Sequence, residues 1–473
     1  MRRRTIYGAA SVATACLLAT VHAGAQVPVA ALMPASLQPP GDAATAVTGD
    51  SEIRNRIEAA SSLVIAGEKL HGSLLRQFYA AHNYERVWAT RQPQAEALLG
   101  AVRRAGEQGL DPDLFHAAAL RNPALSPTDR ELLLSDAFLS YADALARGAL
   151  PIENRMDDED LTPEPVNIPL VIDNAISSPN PAAVIEALAP TSPTYLALRR
   201  ALPTYQAAAA AEMSATGTPA ARGQKNDETR LRQILVNMER QRWLVRNLPA
   251  DRVWVNIANA HLTLYQNNQP TFTTRVVVGE TDKQTPELQS TITSLLYNPP
   301  WNVPLSIASK EILPKLSQQP NYLSRHHMTM RHNGSIQQLP GPKSALGQLK
   351  FEMVNRFDVY LHDTPLKTLF GRDNRQQSHG CVRVQNPREL ASILLHQPVD
   401  VINKGIAQGT TSRHNLPEST PVFLVYQTAF ADADGTLQFR PDVYDRDGEI
   451  WQALHPTRQA PVAEHEVVSP RRG

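Results

Sequence analysis

The stretch SHGCVRV (378–384) decides how the second half of this chain is interpreted. It contains Cys381, and the 473-residue sequence holds only one other cysteine, Cys16. A cysteine without a partner is either a small buried hydrophobic residue or a free thiol with chemistry of its own. The choice between the two depends on the compartment in which the protein works and on the residues around Cys381.

The N-terminus predicts export. Arg2, Arg3 and Arg4 form a positively charged segment, an apolar stretch follows, and Ala23-Gly24-Ala25 has the form that signal peptidase cleaves. We therefore expect residues 1–25 to be a signal peptide, with no stable membrane insertion after cleavage. The alternative is an uncleaved membrane anchor. Cleavage removes Cys16, which leaves Cys381 as a free thiol in an oxidising compartment.

The chain has almost no net charge. The whole chain carries 46 basic and 46 acidic residues, and loss of the signal peptide leaves 43 basic residues against 46 acidic ones. This balance provides no electrostatic basis for binding nucleic acid or anionic lipid.

Composition and periodicity divide the chain into a helical first half and a mainly β second half, an α+β architecture. The first half repeats apolar residues at helical spacing, and the second alternates them at strand spacing. The predicted segments are a flexible lead-in (26–50), a helical scaffold domain (51–205), a low-complexity linker (206–226), a mainly β domain (227–450) with a helical lid insertion at about 307–347, and a disordered tail (451–473).

The residues around Cys381 favour a nucleophile. His362 lies 19 residues upstream, and His379 and Gly380 directly precede the cysteine. A thiol attacks a carbonyl as thiolate, and an imidazole within reach takes its proton and later protonates the leaving amine. Gly380 lets backbone N–H groups approach the resulting oxyanion. This set predicts acyl transfer through a thioester.

Two other interpretations of the same residues remain open at this point. His362, His379 and Cys381 are a ligand set that zinc accepts, although structural zinc sites require four ligands and the chain has no second cysteine nearby. A buried cysteine with no chemistry is the other alternative, although a position after glycine in a polar turn is not typical of a core.

The motif resembles the signature of the L,D-transpeptidase (YkuD) catalytic domain, in which a histidine precedes an SHGCxR motif. Fifteen residues separate His362 from Ser378, which fits that pattern. The stretch YNPPWNVP (297–304) is similar to the large periplasmic branch of these enzymes, and FYAAHNYERVW (78–88) is similar to the scaffold domain of that branch. The resemblance implies a YkuD-like mixed β-sandwich and a periplasmic protein.

The resemblance also implies roles for individual residues. Cys381 matches the nucleophile and His362 the general base and acid, with its imidazole held by the backbone carbonyl of Asp363. His379 and Gly380 match residues that shape the oxyanion hole. A low-pKa thiolate paired with a protonated imidazole would make Cys381 reactive without a metal.

Four further positions match the substrate cleft of the family. Ser378 and Arg383 match residues that brace the loop or contact substrate, and Tyr360 and Trp301 match aromatic residues that line the cleft. No cofactor and no metal are implied.

The implied reaction is 3→3 cross-linking of peptidoglycan. Its partners are a tetrapeptide donor stem, which loses D-Ala, and the side-chain amine of an acceptor stem's diamino acid. Carbapenem β-lactams are the implied covalent inhibitors. The alternatives are an L,D-carboxypeptidase, an enzyme that attaches lipoproteins to peptidoglycan, or a non-catalytic wall-binding protein.

Overall fold

The computed structural model of the chain describes residues 50–59, 62–214 and 221–455, without the side chains of 212–214 and 221–226. The predicted signal peptide (1–25) lies outside the described residues, as does the lead-in apart from Asp50. The end of the predicted tail also lies outside them.

Helices dominate the first half of the chain and strands the second. The α-helices are α1 (Ser51–Glu58), α2 (Gly72–Ala81), α3 (Gln92–Arg103), α4 (Pro127–Arg147), α5 (Ile168–Ser177), α6 (Pro181–Glu186), α7 (Pro193–Ser214), α8 (Ala221–Arg242), α9 (Leu305–Ile307), α10 (Leu313–Gln318), α11 (Tyr322–Arg325), α12 (Pro387–Leu395), α13 (Val399–Ala407) and α14 (Arg446–Leu454). The strands are β1 (Val64–Ile65), β2 (Glu68–Lys69), β3 (Glu159–Asp160), β4 (Arg252–Asn256), β5 (His261–Gln266), β6 (Gln269–Gly279), β7 (Glu287–Tyr297), β8 (Trp301–Asn302), β9 (Met328–Met330), β10 (Ile336–Gln338), β11 (Leu349–Met353), β12 (Leu361–His362), β13 (Gln376–Ser378), β14 (Val382–Val384), β15 (Ser412–Val425), β16 (Ala429–Ala431) and β17 (Leu437–Phe439).

The helical region is built around α4, which is buried along most of its length. Ser126 caps its N-terminus through a hydrogen bond to the Asp129 N–H, and Pro127 follows in the first turn, where a missing N–H costs nothing. Gly148 ends the helix. A Cβ at Gly148 would lie 2.5 Å from Glu239 Oε1 and 2.7 Å from Trp243 Nε1, so glycine lets α8 pack closely here.

The predicted linker (206–226) is helical over most of its length. α7 continues to Ser214 and α8 begins at Ala221. The remaining residues, 215–220, are not among those described. The segment is alanine-rich, and alanine has the highest intrinsic helix propensity.

The strands of the second half form a closed ring. Their hydrogen-bonded order is β11-β12-β14-β6-β5-β4-β15-β7, and β7 pairs with β11 as well as with β15. The pairs β12–β14 and β4–β15 are parallel and the others antiparallel, which confirms the predicted α+β class with a mixed β domain. Alternate residues of the strands face one core, to which α12 and α13 add their apolar sides.

A buried cluster of charges joins the helical region to the ring. β3 pairs with β7, which places Glu159 opposite Glu287. Arg240 and Arg446 approach the Glu287 carboxylate to 3.9 and 3.7 Å, and Arg240 also donates to Asp447. Burial, followed by the charge of Glu287, raises the pKa of Glu159 to about 7. The two halves are therefore packed against each other along this boundary.

The predicted disordered tail (451–473) begins too early. α14 extends through its first four residues, and Ile450 and Leu454 are buried in the helical core. Burial of these two side chains removes apolar surface from water, which stabilises the helix although the sequence around it is polar.

The insertion over the ring begins earlier than the predicted 307: from Trp301 onwards it consists of three short helices, a π-helical turn (Ala308–Ile312) and a three-stranded sheet of β8, β10 and β9. Its buried side chains form a small core separate from that of the ring. In the part of the chain that the structure describes, no helix combines the length and the apolarity needed to cross a bilayer.

Candidate active site

Parallel pairing brings His362 and Cys381 to neighbouring strands. His362 ends β12, Cys381 immediately precedes β14, and the register places His362 opposite Arg383. The Val382 N–H donates to the Tyr360 carbonyl at 3.1 Å, which continues the pairing at the cysteine end. Parallel neighbours require a long crossover, and residues 363–381 provide it.

The imidazole of His362 is buried and held in one tautomer. Its Nδ1 lies 2.5 Å from the Asp363 carbonyl oxygen. Because a carbonyl only accepts, Nδ1 carries the hydrogen and Nε2 keeps its lone pair. Burial, reinforced by the charge of Arg383, lowers the pKa of His362 to about 4. The ring is therefore neutral at physiological pH and able to accept a proton.

The side chain of Asp363 stabilises this carbonyl. Its carboxylate accepts hydrogen bonds from the Gln348 N–H at 2.9 Å and from Lys367 Nζ at 2.7 Å. Gly347 makes room for the carboxylate, since a Cβ there would lie 2.5 Å from Asp363 Cγ, and its φ of +59° also favours glycine. Asp363 therefore acts through its side chain as well as through the backbone carbonyl that the resemblance implied.

The Cys381 thiol is partly buried, with Sγ 4.0 Å from the Asp358 carbonyl oxygen. Burial raises the pKa of this thiol, while hydrogen bonds with Tyr360 and the charges of Lys350 and Arg383 oppose the rise. A raised thiol pKa and a lowered imidazole pKa favour a neutral pair at rest. They disfavour a thiolate–imidazolium pair, because burial penalises both charged forms.

Ser378 and Gly380 form the internal frame of the nucleophile loop. Ser378 is buried, and its hydroxyl donates to the Cys381 carbonyl at 2.6 Å and accepts from the Gly380 N–H at 3.2 Å. These contacts fit the loop-bracing alternative for Ser378. The Gly380 N–H is therefore bonded within the loop. Gly380 contributes a φ of +105°, which other residues rarely adopt.

Thr285, which the sequence did not single out, holds the other side of this loop. It is fully buried in the turn before β7. Its hydroxyl donates to the Gly380 carbonyl at 2.8 Å and accepts from the Gly279 N–H at 2.9 Å. The adjacent Glu280 N–H donates to the Ser378 carbonyl at 2.9 Å. The loop is therefore fixed from both sides.

The imidazole of His379 contacts a carboxylate. Its Nε2 lies 2.6 Å from Glu311 Oε1, in the insertion. Since a carboxylate only accepts, Nε2 carries a hydrogen. Of the two histidines near the thiol, His362 is the one whose Nδ1 is held by a backbone carbonyl, which leaves the lone pair on Nε2. Among the described residues, no group of three or more His, Cys, Asp or Glu side chains is arranged to hold a metal ion.

The predicted cleft residues lie around the thiol. The rings of Tyr360 and His362 are 5.7 Å apart, and Lys350 Nζ lies 4.2 Å from the centre of the Tyr360 ring. Burial, followed by the interaction with Cys381, raises the pKa of Tyr360, while a hydrogen bond with Trp301 opposes the rise. Arg383 is half-buried, and its Nε is buried without a hydrogen-bond partner among the described residues.

Comparison with known proteins gives two family matches. Residues 250–422 match the YkuD family, described as the L,D-transpeptidase catalytic domain, and residues 73–202 match a family described as a scaffold domain. A Haemophilus influenzae protein named "Putative L,D-transpeptidase" is 34% identical over 221 residues, which cover 42% of this chain. The chain spans 45% of that relative's length.

Solved structures of the same kind are more distant. The catalytic domain of an Enterococcus faecium L,D-transpeptidase acylated by ertapenem is 14% identical, with a TM-score of 0.21, and the match covers 38% of this chain and 99% of that one. An L,D-transpeptidase from Mycobacterium smegmatis is 11% identical, with a TM-score of 0.22, over 38% and 61% of the two chains. Scores this low add nothing to the family matches.

Proposed function

We propose that this chain, in which residues 250–422 match the L,D-transpeptidase catalytic domain and residues 73–202 a scaffold domain, forms 3→3 cross-links in peptidoglycan through a thioester on Cys381. The observation that supports this most directly is a neutral His362, fixed by the Asp363 carbonyl, on the strand beside the nucleophile. This is the arrangement that a general base for a neutral thiol requires.

The first half of the reaction acylates the enzyme. Cys381 Sγ attacks the carbonyl carbon of the third residue of a tetrapeptide stem as its proton passes to His362 Nε2. The C–N bond to the terminal D-Ala then breaks, and His362 returns the proton to the departing amine. A thioester and free D-Ala result. We assign donor binding to Tyr360, which interacts with Cys381, to Trp301, which hydrogen-bonds with Tyr360, and to Arg383, two residues after the nucleophile.

The second half transfers the acyl group. The side-chain amine of an acceptor diamino acid attacks the thioester carbon, and the C–S bond breaks as the new C–N bond forms. The amine's proton passes through His362 to Cys381 Sγ, which restores the neutral pair. We further propose that carbapenems acylate Cys381, because the thiol that attacks a peptide carbonyl can also open a lactam carbonyl, and that the mature protein works in the periplasm after removal of residues 1–25.

Mass spectrometry of the products from purified disaccharide-tetrapeptide tests the proposal. We expect a dimer whose mass equals two substrates minus one D-Ala, formed by the wild type and absent with Cys381→Ala. Tripeptide without dimer would indicate an L,D-carboxypeptidase. No product from the tetrapeptide, together with attachment of a lipoprotein lysine, would indicate an attachment enzyme. The absence of every product would favour a wall-binding protein.

Replacing Thr285 with Val is expected to lower kcat about 10- to 100-fold with a smaller change in KM, because a small displacement of the nucleophile loop misaligns the thiol. Val has nearly the same shape but cannot bond the Gly380 carbonyl or the Gly279 N–H. Steady-state kinetics with the tetrapeptide measures the effect. Thr285→Ser keeps the hydroxyl and is the matched control, which should recover most of kcat. A Val variant with wild-type kcat would show that the loop does not need this brace.

A further inference from the structure

One carboxylate of the insertion, Glu311, contacts the nucleophile loop. Its Oε1 accepts from His379 Nε2 at 2.6 Å and from Lys283 Nζ at 3.2 Å. Lys283 lies in the turn between β6 and β7, two residues before Thr285. Hydrogen bonds to an ionised group are about twice as strong as neutral ones. Glu311 thus connects the insertion to both segments that hold Cys381 in place.

A local irregularity in the backbone places Glu311 there. It lies in the π-helical turn Ala308–Ile312, between α9 and α10. The extra residue of a π turn rotates the following side chains by about 100° around the helix axis. Ala308 and Ile312, at the two ends of the turn, are buried in the core of the insertion, while Glu311 is only half-buried and faces His379. Turns of this kind occur frequently at functional sites.

Glu311 joins the helical part of the insertion to the nucleophile loop. Among the described residues, the side-chain hydrogen bonds that 305–325 make to the rest of the catalytic domain are those of Glu311 with His379 and Lys283, and the backbone bonds of this segment reach no further than the adjoining residues 304, 326 and 327. The insertion also packs around a core of its own, separate from that of the strand ring. A helical segment that packs in a small core outside the ring, and bonds to the nucleophile loop through one carboxylate, can move away from the loop when that carboxylate is lost.

We propose that Glu311 is a positioning residue that clasps the insertion over the nucleophile loop, and that this clasp determines whether the acyl group passes to an amine or to water. The proposal rests on the proposed function, in which a thioester on Cys381 awaits an acceptor. In hydrolysis, a water oxygen bonds to the acyl carbon as the C–S bond breaks, and its proton passes through His362 to Cys381 Sγ. The closed insertion restricts water at the thioester, so the bound amine attacks first.

The test compares Glu311→Gln with the wild type in the mature protein. Gln keeps the shape of Glu but removes the charge that attracts Lys283 and His379. We expect the ratio of tripeptide to dimer to rise about tenfold, which corresponds to a difference of about 1.4 kcal/mol between the two barriers. The rate of acylation by a carbapenem should change less, because acylation precedes the choice of acceptor. Glu418→Gln, which alters an exposed glutamate of β15, is the matched control and should leave the ratio unchanged.

Hydrogen exchange supplies a readout that does not depend on turnover. Glu311→Gln should increase exchange in 305–325, and Lys283→Gln should do so to a smaller extent because the His379 bond remains. An unchanged product ratio, or unchanged exchange in 305–325, would overturn the clasp. If the wild type forms neither dimer nor tripeptide, the proposed function fails, and control of acceptor choice fails with it. If the wild type forms product and Glu311→Gln gives the same ratio of tripeptide to dimer, the clasp proposal fails but the proposed function stands.

Discussion

Incubation of the wild-type protein with a carbapenem should add the mass of one inhibitor, and Cys381→Ala should add none. The β-lactam carbonyl is opened by the thiol, and no other group near Cys381 replaces it as a nucleophile. From residue 26 onwards Cys381 is the only cysteine, so a thiol-dependent adduct can be assigned to it without further substitutions. Intact-mass spectrometry measures the adduct, and we expect dimer formation to fall by about 10⁴-fold or more.

Cys381→Ser is the control for this experiment because it preserves the shape of the loop. A serine hydroxyl is a much weaker nucleophile in this setting, so the variant should bind the inhibitor but acylate far more slowly. The Ser378 and Thr285 hydrogen bonds to the loop involve backbone carbonyls and should survive in both variants. An adduct that persists in Cys381→Ala would contradict the assignment. A wild type that never forms one would favour a non-catalytic protein.

The sequence predicts those parts of the site that lie within one short segment of the chain. Cys381, Ser378, His379 and Gly380 are adjacent, so their proximity needs no knowledge of the fold. The pairing of His362 with this segment follows from the family resemblance, and the register of β12 with β14 places the two side by side. The helical and strand halves were predictable for a related reason, since their apolar periodicities differ along the chain.

The contacts that the sequence did not reveal come from residues distant in the chain and ordinary in type. Thr285 and Lys283 lie nearly 100 residues before Cys381, and Glu311 lies 70 before it. A threonine, a lysine or a glutamate at such positions is usually a surface or turn residue. Only the closure of the strand ring brings the turn before β7 against the nucleophile loop, and only the π turn aims Glu311 at His379.

The charge state of the catalytic pair was also beyond the sequence. Neighbouring cysteine and histidine residues suggest an ion pair, but burial penalises both charged forms. How deeply His362 is buried depends on packing contributed by distant segments, which no local pattern records. The raised pKa of Cys381 and the lowered pKa of His362 are therefore consequences of tertiary structure alone.

Replacing His362 with Gln should lower the rate of acylation about 10²- to 10⁴-fold, since no base then accepts the thiol proton. In the wild type, the acid limb of kcat/KM should fall near pH 4, well below the ordinary histidine value of about 6.5, because burial holds the pKa of His362 at about 4. Carbapenem acylation rates between pH 3.5 and 8 measure the profile. His379→Gln is the matched control. It loses the Glu311 contact, but the position of the acid limb should not move.

The same burial makes His362 a source of pH-dependent stability. Its pKa is lower in the folded chain than in the unfolded one, so the folded state binds this proton less readily. The stability that results is complete above about pH 6.5 and is lost as the pH falls towards 4, by about 3 kcal/mol in all. Urea unfolding at pH 7.5 and 4.5 should show this loss in the wild type and a smaller loss in His362→Gln. An acid limb near pH 6.5 with equal losses in both proteins would contradict a neutral, buried base.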